Sequence, residues 1–301
     1  MPSALVLAGR ILLLAGEQLL VKRLAERATG ELAAAFLFFA WATVALLPFA
    51  VAVAGGWIPA GAGGGHAWAA LPDRLPDLLA AGLVYTAAFV LYVAGLARGE
   101  LSRVAPLHGV SQMALLVLAV GFTGERISLG RVAGMALMTL GTAALTRPGR
   151  AVGGPSLEPE EERWAAWATV GYGVLVAAAR VIDREAAAGM NPVLYAATVD
   201  AQVTFWTGVA VLLEQGGGGL LRLLRRCDWV TVGAGAANAG SYLFLVALLP
   251  RLPLTVLEPA SALAALVAAL AGVLWGGESW RGKLLPACLM LAGSCFLAME
   301  R

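Results

Sequence analysis

Five charged side chains stand inside long apolar runs of this sequence: Arg10, Glu17, Arg180, Asp200 and Glu258. A charge near the centre of a bilayer costs from about 3 to more than 10 kcal/mol, so one that is kept there either serves a ligand or holds helices together as an ion pair. Arg10 and Glu17 are two helical turns apart and share a face. They either bracket a polar ligand or tie their helix to a neighbour. Arg180 lies one turn before Arg184, near a helix end, where it either reaches a ligand or snorkels to water. Asp200 is well inside the next apolar run and is the expected partner of Arg180. Glu258 directly precedes Pro259, where a broken helix frees backbone carbonyls. Its plainer alternative is an interface-exposed carboxylate.

Uncharged groups add to this set. His108, Ser111 and Gln112 fall on one helical face, at i, i+3 and i+4. A histidine titrates near neutral pH, so His108 raises the expectation of proton coupling; a neutral, hydrogen-bonded histidine is the duller alternative. Tyr85, Asn238 and Tyr242 lie mid-run, where they either line a binding site or pack. Glu125 and Glu278 stand at turns and are read as caps, because an acid is favoured at a helix N-terminus. His66 is isolated in a Gly-rich stretch and is read as solvated. Cys227, Cys288 and Cys295 show no metal-ligand spacing and are read as small buried apolar residues. Cys288 and Cys295 sit two turns apart on one helix, too far for a disulfide. No Gly-x-x-x-x-Gly-Lys-Ser/Thr loop and no paired aspartate cluster is present, so neither a primary pump nor an enzyme is expected, and no cofactor.

The elements that must carry these groups follow from composition. The chain is 60% hydrophobic and only 13% charged, with a mean hydropathy of +0.80. Soluble domains carry about 25% charge. This chain therefore has too little charge to cover a water-facing surface and is expected to live in the bilayer. Ten apolar runs are near the length a spanning helix needs: about 3–21, 33–54, 78–97, 103–123, 129–146, 164–182, 192–213, 228–249, 254–276 and 283–299. The first contains Arg10 and lacks a basic region before it, so it reads as a span and not as a signal peptide. The net charge of +2 sits on arginines at helix ends and gives no indication of nucleic-acid binding. The fold class is an all-α polytopic membrane protein.

The runs are organised by a duplication. The segment from Arg98 to Leu145 recurs without a gap 153 positions later, from Arg251 to Ala298. Leu101 falls on Leu254, Ser102 on Thr255, Pro106 on Pro259, and Gly124-Glu125 on Gly277-Glu278. At the same offset Tyr85 matches Asn238, Phe89 matches Tyr242, and His108 matches Ser261. Each fourth helix thus offers a polar face. The expected organisation is a five-helix repeat over 1–146, a Pro/Gly-rich polar linker at 147–163 and a second five-helix repeat over 164–301. An odd number of spans per repeat makes the halves cross the membrane in opposite directions, an arrangement typical of secondary transporters. Gly130, Gly134 and Gly141 put small residues along the fifth helix, suited to an intramolecular seam or to a homodimer contact.

The stretch Val104-Ala105-Pro106-Leu107, the turn Gly124-Glu125-Arg126 and the glycines of the fifth helix resemble the EamA half-unit of the drug/metabolite transporter superfamily. The second copy reads Leu257-Glu258-Pro259-Ala260 and Gly277-Glu278, and the first span ends Gln18-Leu19-Leu20-Val21-Lys22, as that superfamily's first helix tends to end in lysine. The resemblance spans the chain as five plus five helices. It implies export or uptake of a small polar or amphipathic metabolite, amino-acid-like or drug-like, across a bacterial inner membrane by alternating access. The smaller four-helix relatives carry an essential acid about two turns before the lysine; that position is Leu14 here, with Glu17 one turn later. The expected substrate-binding residues are Arg10, Glu17, Tyr85, His108, Gln112, Arg180, Asp200, Asn238, Tyr242 and Glu258. The alternative function is a flippase or carrier for a lipid-linked or phosphorylated substrate, with Arg10 and Arg180 on the phosphate.

Charge also orients the chain. Loops on the side of the termini carry Arg74, Arg126, Arg131, Arg184, Arg251 and Arg301. The other side carries Lys22, Arg23, Arg27, Arg98, Arg103, Arg147, Arg150, Arg163, Arg222, Arg225, Arg226, Arg281 and Lys283. The positive-inside rule places the richer set in the cytoplasm and the termini outside, whereas the family habit is termini inside. In a variant lacking the native cysteines, a cysteine introduced in the 147–163 linker is expected to react with an impermeant thiol reagent from the cytoplasmic side only. Labelling from the external side of intact cells would reverse the orientation.

Overall fold

Helix boundaries in this chain follow its capping residues. The computed structural model describes residues 3–27, 30–57, 71–98, 109–124, 128–145, 159–187, 190–225, 228–264, 266–267 and 284–299. Among them there are ten helices and no strand: α1 (Ser3–Arg27), α2 (Glu31–Ala54), α3 (Leu71–Arg98), α4 (Gly109–Thr123), α5 (Leu129–Leu145), α6 (Pro159–Ala186), α7 (Pro192–Arg225), α8 (Trp229–Leu248), α9 (Leu254–Ser261) and α10 (Leu284–Met299). Asp228 caps α8 by accepting from the Thr231 amide at 2.9 Å. Asn191 accepts from the Val193 amide at 2.9 Å, with Pro192 at the first helical position, where its missing N–H costs nothing. Ser128 accepts from the Arg131 amide to open α5. Gly124 ends α4 in the left-handed region, with φ at 65°, which is the physical reason for glycine in the Gly-Glu turn.

α1, α2, α3, α6, α7 and α8 are long and apolar enough to cross a membrane, and α4, α5 and α10 contribute shorter apolar helices. Residues 103–108 and 268–276, which belong to the fourth and ninth expected spans, lie outside the described residues. So do His66, the linker through residue 158, Glu125, Cys227 and Glu278.

Several boundaries differ from expectation. The stretch 71–77, read as the end of a loop, is the start of α3. Pro72 falls in the first turn, where no amide partner is needed, and Asp73 faces the positive helix end. Asp183-Arg184-Glu185, read as an interhelix turn, continues α6. The Gly216–Gly219 run does not end α7; the helix breaks at Gly216, with φ 68° and ψ 173°, and resumes to Arg225. Cys288 and Cys295, expected to be buried, are exposed on α10.

The chain divides into two compact units, each drawing on both sequence halves: residues 1–90 with 182–251, and residues 91–181 with 252–301. In the first unit α1 packs on α8, and α2 packs on both α7 and α8. Ala33, Phe36, Leu37, Val211 and Leu223 form a core there. Phe38 stacks on Phe89 at 4.7 Å between ring centroids, and Phe39 meets the same ring edge-on, an aromatic geometry favoured by the ring quadrupoles. The opposite face of α2, with Val44, Leu47, Phe49 and Val51, is exposed, as a lipid-facing surface requires. In the second unit α5 packs on α10, and α4 on α5 and α9. Leu116, Met135, Met138, Leu266 and Met290 fill its core.

In lipid there is little hydrophobic drive between helices, so close packing must supply the association. Small residues make it possible. A Cβ on Gly293 would lie 2.7 Å from the Gly134 carbonyl oxygen, and one on Gly141 would lie 2.9 Å from the Met290 amide nitrogen. The small-residue face of α5 is thus an intramolecular seam with α10. In the other unit a Cβ on Gly235 would meet the Ala42 nitrogen at 2.7 Å and the Phe38 oxygen at 2.8 Å. Backbone cannot retreat as a flexible side chain does, so Gly235→Ala is expected to cost about 1–3 kcal/mol. Gly16→Ala, with nothing within 4 Å of its Cβ position, is expected to be neutral or slightly stabilising. Thermal unfolding of both variants in detergent checks the contrast; equal melting temperatures would refute the seam's role.

Candidate functional site

The polar groups of the first unit gather around two nodes. One is Asp183, near the end of α6 and fully buried. Its carboxylate accepts from three tyrosine hydroxyls: Tyr85 of α3 at 2.5 Å, Tyr195 of α7 at 2.8 Å and Tyr242 of α8 at 3.0 Å. The Tyr85 and Tyr242 rings meet edge to face, 5.6 Å apart. Each phenol presents an O–H at the end of an apolar ring, so three rings satisfy the carboxylate while keeping it dry.

The second node is Ser241 of α8. Arg10 of α1, 2% exposed, donates from Nη1 to the Ser241 carbonyl oxygen at 2.9 Å. The Ser241 hydroxyl donates to Glu17 Oε2 at 2.9 Å. The two-turn spacing of Arg10 and Glu17 thus delivers both side chains to one residue of the neighbouring helix. Asn238, one turn earlier on α8, lends its carbonyl oxygen to the Ser241 hydroxyl at 3.1 Å. Its side-chain Nδ2 is buried and makes no hydrogen bond.

Asp200 of α7 is also in this unit and is 1% exposed. Its carboxylate feels Glu17 and Asp183 electrostatically, and its Oδ2 makes no hydrogen bond. Two residues on, Gln202 has an Oε1 that is likewise buried without a partner and packs on Gly82 of α3, where a Cβ would sit 2.5 Å from it. Arg10, Asp183 and Asp200 are thus buried charged residues of the first unit, with Glu17 partly buried beside Ser241.

The second unit holds an ion pair. Arg180 Nε of α6 lies 2.6 Å from Glu258 Oε1 of α9, with the two side chains 13% and 17% exposed. Asp200, the partner that proximity in the chain suggested, belongs to the other unit. At Glu258 the helix is interrupted as Pro259 led one to expect: α9 stops at Ser261, and the Ala262 amide reaches back to both Glu258 and Pro259 carbonyl oxygens. Gln112 of α4 is buried and accepts from the Thr139 hydroxyl of α5 at 2.9 Å. α4 does pack against α9, but His108 lies outside the described residues.

The structure thus brings Arg10, Glu17, Tyr85, Asp200, Asn238 and Tyr242 into one unit, and Gln112, Arg180 and Glu258 into the other. Sequence reasoning missed Asp183, Tyr195, Ser241 and Gln202. Asp183 was detectable in principle, since it lies one turn after Arg180 on a helix with tyrosines in three neighbouring spans.

Ten helices with outward apolar faces and charges turned inward define a multi-pass membrane protein. Residues 2–147 match the EamA-like transporter family. The match covers residues 2–147 of 301, and it is to this family of transporters that the first half of the sequence is similar. A crystal structure described only as that of a protein aligns over 99% of this chain and 96% of its own, with a TM-score of 0.74 and 16% identity; it shares the fold. No curated protein matches the chain.

Removing the acceptor shared by three tyrosine hydroxyls takes a hydrogen bond from each of them, at about 1 kcal/mol or more apiece. Asp183→Ala is therefore expected to destabilise the protein severely, whereas Tyr195→Phe removes one donor and costs about 1 kcal/mol. Thermal melts of the purified variants check this, and a melting temperature for Asp183→Ala no lower than that of Tyr195→Phe would disprove the node.

Proposed function

We propose that the protein is a secondary transporter that moves a small polar or amphipathic, amino-bearing metabolite across a bacterial inner membrane by alternating access. The observation that carries this reading is the excess of carboxylates inside the first unit: Glu17, Asp183 and Asp200 against Arg10. Buried carboxylates favour a ligand that brings a positive charge. An amino acid or an amphipathic amine meets that condition. The unpartnered Asn238 Nδ2 and Gln202 Oε1 add a donor and an acceptor that such a solute can engage, since buried polar atoms are normally satisfied. The duplication of five spans in opposite senses supports alternating access.

The reading with a phosphorylated or lipid-linked substrate needs arginines turned to the ligand. Arg10 is engaged with Ser241 and Arg180 with Glu258, which favours the amino-bearing solute. In proteoliposomes, counterflow is expected with at least one radiolabelled amino acid or amphipathic amine. Glu17→Gln is expected to lower its rate tenfold or more, and Leu47→Ala, on the exposed face of α2, to leave it unchanged. Absence of counterflow across all natural amino acids and a panel of amines would refute the proposal.

A further inference from the structure

We infer that Asp200 is the site at which the first unit takes up and releases a proton. The inference rests on the transporter reading and adds the coupled ion to it. Glu17, Asp183 and Asp200 all belong to this unit, and their surroundings differ. Asp183 receives three phenolic donors. Glu17 receives the Ser241 hydroxyl, with Arg10 held at the same residue. Asp200 is as deeply buried as Asp183, yet its Oδ2 receives no donor.

The neighbouring hydroxyl does not supply one. Thr204, one turn further on α7, donates to the Asp200 backbone carbonyl at 2.8 Å, and it shares its other contact with Thr43 of α2 at 2.9 Å. The ionisable groups acting on Asp200 are Glu17 from α1 and Asp183 from α6. Of the helices packed on α7, α2 carries one acid, Glu31, in its first turn, and α8 carries no charged residue and one titratable one, Tyr242, whose hydroxyl is turned to Asp183. On α3, which meets α7 through Gly82 and Gln202, Tyr85 is likewise turned to Asp183, and Asp73, Arg74 and Asp77 lie in the opening turns.

An ionised carboxylate is acceptor-only and needs donors. A carboxylic acid needs fewer, and it does not repel two neighbouring carboxylates. The O–H bond forms on Asp200 with a proton drawn from water on one side of the membrane, and it breaks with the proton passed to water on the other.

Two measurements test this. The first is acid-minus-alkaline infrared difference spectroscopy on the full-length protein in lipid, with no solute added. The carboxylic-acid C=O band is expected in the wild type, lost in Asp200→Asn, shifted in Asp200→Glu and retained in Glu17→Gln. The second is flux of a radiolabelled amino acid or amine into proteoliposomes under an imposed pH gradient without sodium. The gradient is expected to accelerate wild-type flux tenfold or more; Asp200→Asn loses that acceleration and Asp200→Glu recovers it. A band that survives in Asp200→Asn overturns the inference, as does a flux driven by a sodium gradient and indifferent to pH. A band assigned to Asp200 in a protein that moves no solute would sink the transporter reading and leave the proton site standing.

Discussion

Every ionisable side chain in the interior of this protein must find its compensation within the chain, because hydrocarbon offers none. That requirement organises both units. Arg10 cannot remain unsatisfied at 2% exposure, so α1 must lie against the carbonyl of Ser241 on α8. Asp183 draws α3, α7 and α8 together through three tyrosines. In the second unit the Arg180–Glu258 pair links α6 to the short α9. Buried pairs of this kind contribute little net stability, since desolvation cancels most of the attraction, but removing one member is costly. Their effect is to specify which helix faces meet.

Glycine does the complementary work. Polar links fix orientation, and close approach provides the dispersion energy that replaces the missing hydrophobic drive. The α5–α10 seam has its backbones so near at Gly141 and Gly293 that a methyl group has no room. Gly235 does the same where α8 meets α2. Seams lie in both units, so the glycine content of the chain is a packing requirement and not only a loop composition.

Much of this was legible in the sequence, and the limits have physical causes. Span existence follows from apolar length, and the inward charges stand out because hydrocarbon makes them rare. Arg10 and Glu17 could be read as sharing a face because helical period is local. Partner choice could not be read, because it is set by tertiary contact. Arg180 was matched with the next acid along the chain, Asp200, while its actual partner Glu258 is 78 positions away. Asp183 was overlooked for a related reason: an Asp-Arg-Glu run between two apolar stretches has the composition of a turn, and only the three distant tyrosines reveal it as interior. Pro72 misled in the same way, since proline is tolerated in a helix's first turn, and Pro76 stands further inside α3.

The repeat expected from the sequence does not map one partner of Asp183 onto another. Tyr85 and Tyr242 both end on Asp183, although under the 153-residue offset they correspond to Asn238 and Phe89 and not to each other. If Arg180 is matched with Gln18 by their common distance from Arg184 and Lys22, Asp183 falls on Val21, a buried aliphatic residue. The second copy therefore carries an acid where the first carries an apolar side chain. A duplicated scaffold with identical polar groups would present the same chemistry twice. Here the acids Glu17, Asp183 and Asp200 come from different spans of both copies, and they converge in one unit. In the other unit Glu258 is set against Arg180. Three acids from separate helices thus belong to one unit, where a cationic group or a proton has the most to offer.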